Sequence, residues 1–451
     1  MKNLGYLASG KQATSAEKLL QKIIESAINA VKPSKLFDTQ FQIKDNTLTA
    51  FGEEFDLSHF TNVKCVAIGK SAEAMAYEVE QKLNDKVTGI IATPIEKHFT
   101  LKRFQFFKTG HPLPDKESVK AGKEVGQFVS SSQEDDLLIF LISGGGTAAV
   151  FVPVDRVTLE EINRMTKILL DNGVPISKIN LLRRHLSKLG GGKLAALAPN
   201  VKKLSLIISD VVGDCPSNIA SGPTAQDTTT PVDAYNFLNE SELGNKVPQA
   251  ILKSLFKIIQ PIIKIGVSNN LIKMIASNGD ALNSAEKMGT ENGFETLVLT
   301  RFLEMDAQAA GEFLVSIAQS IELDNAPVHP PALILIGGET TVKLKGNGTG
   351  GRNQHLVLCA LRKMVQLKEN AVSLEKTTVF SFGTDGKDGK SDAAGAVASL
   401  RTLGKIKNAS QELDRYISNN DSNAFFKKYG GLITTGHTDT NVMDMMGIFV
   451  E

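Results

Sequence analysis

Glycines, hydroxyls and charged side chains collect at the ends of short apolar runs in this chain, and that combination handles phosphate. Residues 65–68 run into Gly69-Lys70-Ser71, and residues 137–142 into Ser143-Gly144-Gly145-Gly146-Thr147. Later, 333–336 end in Gly337-Gly338-Glu339-Thr340-Thr341, and 378–382 in Gly383-Thr384-Asp385-Gly386. Glycine lets backbone N–H groups approach an anion, and a helix starting there adds its positive end. Three glycines with two hydroxyls can wrap a phosphate in backbone donors. A turn that needs only positive φ would look the same, but the end of a parallel strand is where open α/β sheets bind ligands, which favours phosphate. This is not a Walker A loop, which places Lys-Ser/Thr directly after its glycines.

Charged residues sit beside these loops. Lys70 is a point charge for a phosphate or carboxylate, and as a helix-start lysine it would oppose the helix dipole. Asp210 and Asp214 flank Val211-Val212-Gly213, where carboxylates can take a proton from a hydroxyl, hold Mg²⁺, or simply cap a turn. The basic stretch 182–188, which includes Lys188, precedes Gly190-Gly191-Gly192 and reads as mobile. The densest region holds Glu339, then Gly350-Gly351-Arg352-Asn353-Gln354, then Asp385, Asp388 and Asp392. An arginine behind paired glycines can fork onto a carboxylate or phosphate. Three aspartates within eight residues suit a hard cation, although an EF-hand fits poorly for want of the glutamate at its twelfth position. Anion loops, Lys, Arg and clustered Asp are together the working parts of phosphoryl transfer.

Positioning these loops needs strands that alternate with helices. The pattern predicts a helix over 14–31, a hairpin within 37–60, strands at 64–68, 87–93, 137–142 and 204–208, and helices at 71–84, 117–131, 158–172 and 192–198. Residues 213–247 read as a long loop, and Pro261 divides 251–265 into a helix and a strand. Helices over 279–290 and 305–322 then lead to a strand at 332–336. The expectation is an α/β protein of two α/β domains, 1–247 and 248–451, the first a doubly wound Rossmann-like parallel sheet, with the site in the cleft between them.

Composition narrows the partners. The 451 residues are 42% hydrophobic and 22% charged, with 50 basic against 49 acidic residues and a net charge of +1. That balance favours neither nucleic acid nor a membrane surface, and no apolar stretch reaches the length of a spanning helix. Three scattered cysteines, Cys65, Cys215 and Cys359, argue against a disulfide scaffold or zinc site and for a reducing compartment, the cytoplasm. Residues 1–13 contain lysine and no acid, which leaves a mitochondrial address as the alternative.

Taken together, Gly69-Lys70-Ser71-Ala72, Thr109-Gly110-His111-Pro112, the 143–147 loop, Arg184-His185-Leu186-Ser187, 209–214, Ala220-Ser221-Gly222-Pro223-Thr224, 337–341, 350–354, 383–386, 392–396 and Thr440-Asn441-Val442 form one ordered set. The chain resembles the class II glycerate 2-kinases, with an N-terminal kinase-associated domain and a C-terminal MOFRL domain, from about residue 15 to 450. The resemblance implies ATP-dependent phosphorylation of D-glycerate at the 2-hydroxyl, with Mg²⁺, by a monomer or homodimer. It implies Lys70, Arg352 and Asp210 as catalytic residues. It assigns Ser143, Gly144, Gly145, Gly146, Thr147, Lys188, Glu339 and Asn353 to the nucleotide, and Asp214, Asp385 and Asp388 to the metal. Asp210 and Asp385 remain interchangeable as base or metal ligand. Three departures stand out: Cys215 precedes Pro216, the stretch 435–441 carries His437 and Asp439, and the 383–395 loop carries Lys387 and Lys390-Ser391. A hydroxypyruvate reductase is the main rival, but no Gly-x-Gly-x-x-Gly follows the first strand. A non-catalytic sugar-phosphate or nucleotide-binding regulator would have lost the charged residues that are present here.

Overall fold

The structure is a computed structural model that describes residues 15–258, 269–404, 406 and 408–451. It comprises two compact units, 33–276 and the described part of 1–32 together with 277–451. The first unit opens with β1 (Phe41–Lys44), β2 (Thr47–Ala50) and β3 (Glu53–Asp56), a small antiparallel sheet in place of the expected hairpin. Its main sheet contains β4 (Asn62–Ile68), β5 (Val87–Thr93), β6 (Phe104–Lys108), β7 (Asp136–Ile142), β8 (Lys202–Ile208) and β9 (Asn270–Ala276). The strands lie in the order β6-β5-β4-β7-β8-β9, and every neighbouring pair is parallel. Parallel strands covered on both faces must be apolar throughout, and β7 (DLLIFLI) is buried at every position.

This is the doubly wound order expected from the sequence. The chain moves outward from β4 through β5 and β6, then crosses back to β7 on the other side of β4. The reversal opens a crevice at the carboxyl ends of β4 and β7. Helices Ala72–Leu83 and Lys116–Ser130 make the crossovers, the second held at its start by a reciprocal cap between Asp115 and Ser118. Val66, Ile68, Phe140 and Ile142 from the strands meet Ala121, Val125 and Val129 in one core.

In the second unit β10 (Glu295–Leu303), β11 (Ala332–Gly338), β12 (Thr377–Gly383), β13 (Gly395–Ser399), β14 (Leu432–Ile433) and β15 (Asp444–Val450) form a mixed sheet. Its order is β10-β11-β15-β12-β13-β14, with only β10 and β11 parallel. The chain's final strand therefore lies in the middle. Its register sets Asp444 opposite Gly338 on one side and Gly383 on the other, so both glycine loops of this unit meet one carboxylate.

The expected boundary at 247/248 does not match these units. Residues 248–276 include β9, which continues the first sheet by pairing with β8. The opening helix Ser15–Ala30 belongs instead with the C-terminal part, where it packs on helix Asn278–Glu291. Leu20, Ile23, Ile24 and Ala27 are buried, and the Ser26 and Ser284 hydroxyls lie 2.7 Å apart. Within the expected loop 213–247 the chain forms helix Pro231–Glu240, with proline in its first turn and Thr230 as its cap. The segment thought to target an organelle (1–13) and the strand expected beyond Pro261 lie outside the described residues.

Because Ile23 is fully buried, Ile23→Ala should cost about 2–4 kcal/mol. Hydrogen exchange should speed up in helix Asn278–Glu291 and leave β4 and β7 protected. Loosening confined to β4 and β7 would contradict the assignment of the opening helix.

Candidate active site

The two loops at the β4/β7 reversal are fastened to each other. Ser143 donates its N–H to the Ile68 carbonyl at 2.9 Å, and its buried hydroxyl accepts the Ser71 N–H at 2.9 Å. The Lys70 N–H donates to the Gly144 carbonyl at 2.8 Å. Ser143 thus holds the loops together and does not offer its hydroxyl to a ligand. Gly144 is glycine for a steric reason: a Cβ there would lie 1.4 Å from Oδ2 of Asp210. The Asp210 carboxylate occupies the space that a side chain would fill. Gly145 has φ +80°, and its open face lies between the Lys70 stem and the His111 ring, each 3.3 Å from where a Cβ would stand. Lys70, His111, Asp210 and the glycine loop are therefore neighbours, as the sequence reading required of Lys70 and Asp210.

Several assignments need correction. The helix after the glycines, Gly146–Ala149, is one turn, so the loop's anion affinity rests on N–H donors and Lys70 rather than on a long dipole. The Thr147 hydroxyl is engaged by the Ser221 hydroxyl at 2.8 Å. Lys188 sits in an exposed ion pair with Asp155 at 2.6 Å, away from any phosphate role that its neighbours in sequence implied. The basic stretch around it is not mobile: Arg183, Arg184 and His185 are buried at the end of helix Ile176–His185. Arg184 donates to Asp227 at 2.7 Å and to Asn218 at 2.8 Å. Burial pulls Lys193 down to about 8, and burial pulls His185 down to about 4 against the opposing charge of Asp227. The signal missed in the sequence was the apolar face formed by Ile179, Leu182 and Leu186, which turns the basic residues inward.

In the C-terminal unit Arg352 opens helix Arg352–Glu369. It donates through Nε and Nη2 to Asp444 at 2.5 and 3.1 Å, and Nη1 lies 2.5 Å from Glu339. These carboxylates hold the guanidinium well above its ordinary range despite its burial. The guanidinium is thus engaged by two carboxylates in this structure. Asp388 accepts from the backbone and side-chain N–H groups of both Asn353 and Gln354, at 2.9–3.3 Å. Burial pushes it up to about 6. A carboxylate with four donors already on it is no metal ligand, and Asn353, also bonded by Ser381, is no nucleotide contact. Both residues instead pin the 383–391 loop to the helix start.

Among the described residues no group of three or more His, Cys, Asp or Glu is placed to hold a metal ion. Mg²⁺ usually needs only one or two carboxylates beside substrate phosphates and waters. Asp214 fits that need, since its buried Oδ1 has no hydrogen-bond partner, whereas Asp385 Oδ1 already accepts the Lys387 N–H at 3.0 Å.

The model of a domain of unknown function, DUF4147, matches residues 19–256, and the MOFRL family matches 332–444. A glycerate 2-kinase of Pyrococcus horikoshii is 34% identical, covering 93% of this chain and 94% of its own. A D-glycerate 2-kinase of Thermotoga maritima is also 34% identical, over 96% and 98%. The chain belongs to the glycerate kinase family. Another relative, from Agrobacterium vitis, is 32% identical over 100% of this chain and 99% of its own, and is named a putative hydroxypyruvate reductase. A solved glycerate kinase from Thermotoga maritima matches with a TM-score of 0.82 and 32% identity, covering 97% of this chain and 100% of that one.

Two substitutions separate the family's site from its scaffold. Gly144→Ala must push the Asp210 carboxylate aside and should lower kcat about a hundredfold with circular dichroism unchanged. An active Gly144→Ala enzyme would detach Asp210 from the chemistry. Asp388→Ala should strand buried donors and cost roughly 3 kcal/mol or more, read as a lower denaturation midpoint. No loss of stability would mean that the 383–391 loop is held by other bonds.

Proposed function

We propose that this chain transfers the γ-phosphoryl group of ATP to the 2-hydroxyl of D-glycerate, giving 2-phosphoglycerate and ADP. The observation that carries the proposal is the Asp210 carboxylate lodged in the place of a Gly144 side chain, beside Lys70, at the reversal of a doubly wound sheet. A base, a cation and a row of N–H donors at one strand end are what phosphoryl transfer asks of a protein. The relatives' names supply the substrate class and the choice of hydroxyl.

In this reading the Gly144–Thr147 backbone cradles nucleotide phosphates and Lys70 neutralises the charge that builds on them. Asp210 accepts the proton of the attacking hydroxyl as the new O–P bond forms and the bond to the ADP oxygen breaks. This reading takes Asp210, rather than Asp385, as the base. Mg²⁺, held by Asp214 when bound, would supply further charge neutralisation to the phosphates. Arg352 serves by fixing Glu339 and Asp444 rather than by gripping the substrate.

The reductase name borne by one relative asks for different residues. A dinucleotide-binding sheet carries Gly-x-Gly-x-x-Gly after its first strand and an acid at the end of its second. Here β4 runs into Gly69-Lys70-Ser71, and β5 ends at Thr93 before Pro94.

Purified protein with ATP, Mg²⁺ and D-glycerate should release ADP, with product that enolase consumes directly. Product that enolase consumes only after a mutase would move the phosphate to the 3-hydroxyl, and the absence of glycerate-dependent ADP would refute the kinase. Lys70→Ala should reduce kcat at least about a hundredfold, and Arg352→Ala, which leaves the buried Asp444 carboxylate without its partner, should lower the denaturation midpoint. Near-normal turnover in folded Lys70→Ala would remove that residue from the mechanism.

A further inference from the structure

The molecule buries a cation that the proposed mechanism leaves unused. Arg183 is 5% exposed and lines a pocket with Thr147, Ser187, Gly190 and Ser221. Its Nε has no hydrogen-bond partner, and its one bond is a long 3.5 Å contact from Nη2 to the Pro112 carbonyl. Among the described residues no carboxylate lies within ion-pair distance of it. The neighbouring cations are paired: Arg184, whose Nε is likewise unbonded, with Asp227 and Asn218, and Lys193 with the Arg184 and Ser187 carbonyls. Arg352 is held between Glu339 and Asp444. Burying a charge without a partner is costly, so a site that keeps one is built for an anion that arrives from outside.

The pocket also describes the anion. Thr147 and Ser221 share a hydrogen bond of 2.8 Å, and whichever hydroxyl donates, the other keeps a proton for a ligand oxygen. A guanidinium edge beside a hydroxyl donor fits the two oxygens of a carboxylate. The enclosed space is about 10 Å³, room for one water-sized group such as the tip of a carboxylate. Thr147 belongs to the glycine loop, so the pocket adjoins the proposed phosphate cradle from the same chain segment. Ala220 and Ser221 on its wall have φ of +51° and +61°, a conformation that L-residues hold only where surroundings enforce it.

We infer that Arg183, with the Thr147 and Ser221 hydroxyls, receives the carboxylate of the hydroxy-acid substrate. The inference rests on the kinase reading for the identity of that acid, and it makes Arg183 the residue that separates hydroxy acids from uncharged polyols. Burial pulls the guanidinium down to about 10, which still leaves it charged at neutral pH. A bound carboxylate would restore what desolvation removes.

Calorimetric titration of D-glycerate, L-lactate, glycerol and inorganic phosphate into the nucleotide-free full chain tests this directly, beside KM values for glycerate and ATP. The wild type should bind the two hydroxy acids and not glycerol. Arg183→Gln should weaken hydroxy-acid binding and raise the glycerate KM at least about thirtyfold, with the ATP KM within about threefold. Should Arg183→Gln fail to fold, Ser221→Ala should raise the glycerate KM about tenfold in the same assay. An unchanged glycerate KM in a folded variant overturns the inference and leaves the kinase intact. So does a rise in the ATP KM alone, or binding of phosphate without the acids, either of which would make this a phosphate pocket. Arg183-dependent binding of the acids without any turnover would keep the carboxylate site and refute the kinase.

Discussion

The clasp between the β4 and β7 loops is the constraint on which the rest of the first unit depends. Parallel strands leave their terminal peptide groups unpaired where the order reverses, and those groups must find partners or ligands. Here Ser143 and Gly144 take the Ser71 and Lys70 N–H groups, so the loop after β4 cannot drift from the loop after β7. With the loops fixed, Lys70 and His111 flank Gly145, and the Asp210 carboxylate enters beside Gly144. Glycine at 144 is thus selected by the approach of another side chain, and glycine at 145 by its φ.

The second unit solves a similar problem with a different device. Placing the final strand β15 in the centre of the sheet brings Asp444 between two glycine loops. Arg352 then bridges Asp444 and Glu339, and Asp388 fastens the next loop to the helix that carries Arg352. These polar groups are satisfied by one another, which suits a scaffold more than a set of open ligands.

The fold class and the loops were legible because buried parallel strands are apolar runs with sharp ends, and β4, β5, β7 and β8 all read that way. Strand β9 and the membership of the opening helix were not, since both depend on tertiary pairing across long stretches of chain. At the candidate site, Lys70, Asp210 and the glycines could be chosen from type and position alone. Asp388, Asn353 and Lys188 have equally suggestive types, yet each is already paired, and sequence does not show which polar groups satisfy which. Arg183 was hidden inside a basic run that reads as mobile. Burial distinguishes it from Lys188, which is exposed, and the lack of an ion-paired carboxylate distinguishes it from the equally buried Arg184.

The central claim, that the clasped loops bind nucleotide phosphates, is tested most directly by hydrogen exchange with and without a non-hydrolysable ATP analogue. The account predicts that the analogue slows exchange at the amides of residues 145–147 and in the segment following Lys70. Exchange at Asn353 and Gln354, whose N–H groups are already bonded to Asp388, should change little. Protection confined to the C-terminal unit, with the 143–147 loop unaffected, would contradict it.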